Sequence, residues 1–63
     1  MTANEHAAEV ERLALEIAAS MAVFPKLNAK AQTSLAAAGD VLLDRLHNAW
    51  YDFAAAQWKE RAQ

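Results

Sequence analysis

The sequence predicts an all-α protein, an antiparallel hairpin of two long helices, and three observations carry that prediction. Alanine is the most abundant of the 63 residues and there is one glycine and one proline, a composition that favours helix. Apolar side chains recur at alternating spacings of three and four through both halves of the chain. The only proline, Pro25, stands between these two periodic stretches and cannot sit in a helix interior.

The first helix is expected over about residues 3 to 24. Thr2 followed by Glu5 has the form of a capping box, in which the two side chains satisfy backbone N–H groups that a helix start leaves open. Ala3, Ala7, Val10, Ala14, Ile17, Met21 and Phe24 then form an unbroken apolar stripe, with His6, Leu13, Ser20 and Leu27 along one edge. Glu5, Glu9, Arg12 and Glu16 fall on the opposite, solvated side. Pro25 lacks the required N–H and disfavours helix in the residue before it, so this helix should end near Phe24. A loop over 25–28 is short enough to force antiparallel packing, and Asn28 can cap the next helix.

The second helix is expected over about residues 29 to 61, with Leu35, Gly39, Leu42, Leu46, Ala49, Phe53 and Ala56 on its seam and Leu43 and Trp50 beside it. Gly39 offers a possible break, with Asp40 as a new N-cap. The heptad phase runs through Gly39 without a slip, which favours one continuous helix. Val10, Leu13, Ile17, Met21, Phe24, Leu35, Leu42, Leu46 and Phe53 form the expected core of the hairpin and of its dimer.

Size limits what such a chain can do alone. Residues 1–63 make one domain, and a chain of this length buries only about 60% of its unfolded surface. With no cysteine and only two histidines, a disulfide is excluded and a structural zinc is disfavoured, which leaves oligomerisation as the means of support. A homodimer forming a four-helix bundle is the expected assembly. The formal net charge of −2 disfavours nucleic-acid binding, which needs clustered Lys and Arg. Met1 to Glu11 contains no Lys or Arg, and no apolar run approaches the roughly 18 residues of a membrane span. A cytoplasmic protein without a membrane segment is therefore expected.

Charge is expected on the outer face of the second helix, but its C-terminal half carries His47, Tyr51, Ala54, Ala55 and Trp58 instead. Tyr and Trp each bury on the order of 150–250 Å² when covered. Left open, such a stripe would rival the largest apolar patches of ordinary monomers, roughly 300–600 Å². Tyr51, Trp58, Trp50, His47 and Arg45 are the expected contacts for a second protein, since Trp, Tyr and Arg dominate interface energetics.

Chemistry finds less support. Asp44 with His47, and His6 with Glu9, each make half of a metal site at helical spacing, too few ligands to hold an ion. Ser20, Thr33, Ser34 and the histidines form no nucleophile, base and orienting acid at a recognisable spacing, so no catalytic residue and no cofactor is expected. A helix-turn-helix hinged at Gly39 would open its recognition helix with Asp40 and Asp44, which repel phosphate. The expected function is a non-catalytic module that binds another protein and modulates it, most simply by inhibition. From its size and style alone, the expected form of such a module is a regulator carried by a phage or mobile element and directed at a host protein such as a transcription factor. A small structural or chaperone-like subunit of a larger complex is the competing expectation.

In length and layout the whole chain resembles the plasmid copy-number regulator Rop, a hairpin that dimerises into a four-helix bundle and grips paired RNA loops. The resemblance lies in architecture and in no specific motif, and it implies an RNA-binding regulator. In that family basic and amide side chains on the outer face of the first helix bind RNA, whereas Glu5, Glu9 and Glu16 occupy the matching surface here.

Overall fold

The computed structural model describes residues 1–62, and in it Thr2 opens the first helix, α1 (Ala3–Val23). The Thr2 hydroxyl accepts from the Glu5 N–H at 3.2 Å, and the Glu5 carboxylate accepts from the Thr2 N–H at 3.3 Å. Both halves of the capping box are thus in place, and orphan donors at the helix start are satisfied reciprocally. The next free donor, the Ala3 N–H, reaches the Glu60 carboxylate at 3.2 Å, which ties the start of the chain to its far end.

Pro25 ends the α-helix but does not turn the chain at once. Phe24–Lys26 form a short 3₁₀ turn that continues the helix, with Pro25 in its first turn, where its missing N–H costs nothing. Leu27 is the first extended residue. Reversal then rests on Asn28, whose side-chain oxygen accepts from the Ala31 N–H at 2.9 Å, the N-cap its residue type suggests. Gln32 closes the turn by donating from Nε2 to the Phe24 carbonyl at 3.0 Å.

The second helix, α2 (Ala29–Ala62), is uninterrupted. Gly39 has no positive φ, so the chain makes neither a C-cap nor a helix-turn-helix there. At 1.5 Å per residue its 34 residues account for the molecule's full 51 Å length. The 21 residues of α1 span roughly 32 Å beside it. Among the described residues no helix is long and apolar enough to cross a membrane.

The two helices pack against each other as a hairpin, and the seam between them is thin. Among the described residues Leu13 is the only large side chain fully buried, at 1% exposure; Ala3 and Ala49 are the other buried ones. Val10, Ile17, Leu35, Leu42, Leu46 and Phe53 line the seam half-buried. In α1 the seam passes through Leu13 and Ser20 rather than through Ala14 and Met21. Met21, 69% exposed, and Phe24, 39% exposed, therefore lie outside the core of the single hairpin. Both phases satisfy a three-four spacing, and the observed one encloses Leu13 where the other would enclose Ala14, while giving Met21 to solvent in place of Ser20.

Candidate interaction surface

Packing along this seam leaves the hairpin with two flanks and two backs, and their chemistry differs. One flank is charged. Arg12 bridges Glu9 and Glu16 on α1, one turn to either side of it. The Arg12 hydrogen bond holds the Glu9 carboxyl below its ordinary range, and Arg45 across the seam adds a smaller effect in the same direction. The Arg12 guanidinium is correspondingly held in its charged form. Toward the chain ends, His6 shares this side with Asp52, Lys59 and Glu60.

The other flank is apolar. Ala7, Ala14, Ala18 and Met21 recur on it from α1, and Ala36, Leu43 and Trp50 from α2, each set at near-heptad spacing. Across the seam Met21, Ala36 and Leu43, with Ile17, Ser20, Phe24 and Leu35, line a mostly apolar groove of about 200 Å³. Gly39 lies at its floor, and a Cβ built there would meet nothing within 4 Å. The groove exists because the seam position of α2 at this level has no side chain.

The back of α2 carries the aromatic stripe. His47 and Tyr51, one turn apart, stack edge to face with centroids 4.8 Å apart. Tyr51 is 62% exposed and Trp58 74%. Neither is needed to pack the hairpin, since each stands far round the helix from Leu46, Ala49 and Phe53.

The five residues expected to bind a partner are thus distributed over three surfaces. His47, Tyr51 and Trp58 stay together on the back of α2. Trp50 sits on the apolar flank, tilted against Phe53 at 5.8 Å. Arg45 belongs to the charged flank, near Glu9. The groove at Gly39 escaped the sequence reading; its only trace there is a glycine on a seam position with Leu43 beside it. Among the described residues no three His, Asp or Glu side chains come together in a way that could hold a metal ion.

These features define a class: a short helical hairpin whose surface is divided into a charged flank, an apolar flank and an aromatic back. Comparison with protein-family models, with characterised proteins and with solved structures gives no match for the chain.

Proposed function

We propose that the chain is a non-catalytic protein-interaction module of the cytoplasm, which works as a homodimeric four-helix bundle and inhibits a second protein by binding it. The observation that carries this reading is the exposure of Tyr51 and Trp58 on a helix face that the hairpin leaves unused. Two such rings with His47 supply the rigid, amphipathic contact area that dominates protein interfaces, at little conformational cost. The charged flank supports a protein partner over a nucleic acid, because Glu9 and Glu16 stand on either side of the one arginine of α1.

The test is a capture experiment from host lysate with the wild type and the Tyr51→Ala, Trp58→Ala double variant side by side. Because both rings are exposed, the double variant should keep its helical circular dichroism and melt within about 0.5 kcal/mol of wild type, while losing a protein that the wild type retains. Equal capture by both forms, or unfolding of the variant, would show that these rings are not the contact surface.

A further inference from the structure

The exposed area of the chain gives the scale of what a lone hairpin lacks. Its mass is 6.9 kDa, and a folded monomer of that mass exposes about 4,000 Å² by the usual scaling. This hairpin exposes 4911 Å². The excess, about 900 Å², is close to the roughly 800 Å² that each partner contributes to a standard stable interface. One further molecule of ordinary footprint would therefore bring the chain to the expected area, and the apolar flank is where it can be gained without desolvating the charged network.

That flank carries one hollow and one knob. The hollow is the groove over Gly39. The knob is Trp50, 56% exposed, about three helical turns or roughly 17 Å further along the same side of α2. A two-fold axis perpendicular to the helices interchanges the two when it crosses α2 midway between them, between Asp44 and Arg45. The centre of α2, which runs from Ala29 to Ala62, falls between Arg45 and Leu46, one residue away. An axis that matches knob to hollow is thus also one that overlaps two hairpins along nearly their full length, with their loops at opposite ends. The same operation brings Ala14 beside Ala14 of the other copy and sets the small Ala7 near the long Met21, so small and large side chains alternate across the contact.

We propose that the apolar flank is covered by a second copy of this chain about this axis, with Trp50 of each copy seated in the Gly39 groove of the other. The inference rests on the homodimer of the proposed function and specifies its faces; Tyr51 and Trp58, on the back of α2, remain free. It is an isologous contact, in which one surface serves as both partners.

Sedimentation equilibrium and helical circular dichroism of four samples test it: wild type, Gly39→Leu, Trp50→Ala, and an equimolar mixture of the two variants. The wild type should run at twice the chain mass at micromolar concentration. A Cβ at position 39 meets nothing within 4 Å, so the side chain of Gly39→Leu starts into open space at the groove, and by helix propensity alone it should strengthen the helix. It should nevertheless dissociate at least about tenfold more readily, as should Trp50→Ala, because each loses both matched contacts. Mixing should recover dimer, since the tryptophan kept by the first variant meets the groove kept by the second. A variant that cannot fold alone but regains helix on mixing gives the same support. Variants that associate like wild type, or a mixture with no recovery, would overturn the knob-and-groove contact. A wild type that remains a stable single chain would overturn the homodimer itself, whereas loss of the captured partner on changing Tyr51 and Trp58 depends on neither outcome.

Discussion

The charged and apolar flanks are built from the same two helices beside the same seam, yet they meet solvent in different ways. On the charged side, Glu9, Arg12 and Glu16 satisfy one another and face water at little cost. On the apolar side, Met21, Leu43 and Trp50 are each more than half exposed around a groove that nothing in the chain fills. The difference teaches that a two-helix hairpin has a seam but hardly an interior. Its helices can bury one stripe between them, and whatever lies next to that stripe decides whether the fold ends there or continues into another molecule.

Three comparisons probe this contrast, in falling order of effect. Leu13 serves both flanks, because among the described residues it is the one large side chain wholly enclosed by the seam. Leu13→Ala should cost about 2–5 kcal/mol, enough to abolish a cooperative melt in a chain this small. Leu15→Ala, on the outside of α1 at 64% exposure, should change the melt by less than about 0.5 kcal/mol. Similar losses at both positions would refute the placement of the seam.

A charge placed on each flank should separate them directly. Leu43→Glu puts a carboxylate into the apolar flank and should weaken self-association at least about tenfold, or about 1.4 kcal/mol. Asn48→Glu, on the charged side of the same helix, should leave association unchanged. Light scattering across a dilution series measures both, and equal effects would mean that the flanks do not differ in what they bind.

The smallest effect belongs to the carboxylates. Glu5 is held below its ordinary value of 4.5 by hydrogen bonds from Thr2, first from the backbone N–H and then from the side chain, and Glu9 is lowered chiefly by Arg12. A carboxyl whose folded pKa is depressed adds stability at neutral pH and loses it as the pH falls through the depressed value. The melting temperature of Arg12→Ala should therefore lie slightly below that of wild type at pH 7. The gap should close as both are titrated well below pH 4.5, and it should narrow in about 1 M salt, where exposed pairs are screened. A gap unaffected by acid and salt would assign Arg12 a packing role instead.

Much of the fold is legible in particular residues. Thr2 with Glu5, Pro25 and Asn28 mark the helix ends because capping and proline chemistry act within a few residues of chain, and the hydrogen bonds at these positions follow their types. The aromatic stripe on the back of α2 is legible for the same kind of reason, since one helical period places Tyr51 and Trp58 together. Arg45 shows where that legibility stops: one helical period turns it away from Trp50, but its approach to Glu9 depends on how the two helices pack.

By itself, then, the sequence determined two long helices, where they begin and end, their antiparallel return through a short turn, and the face on which the exposed rings gather. Each of these follows from forces that act along one chain segment. The rotation of α1 that buries Leu13 while leaving Met21 and Phe24 outside, the side on which Arg45 falls relative to Glu9, and the groove above Gly39 were decided only when the second helix was in place. A three-four spacing admits two neighbouring phases, and the choice between them depends on the apolar area that one particular partner helix can cover.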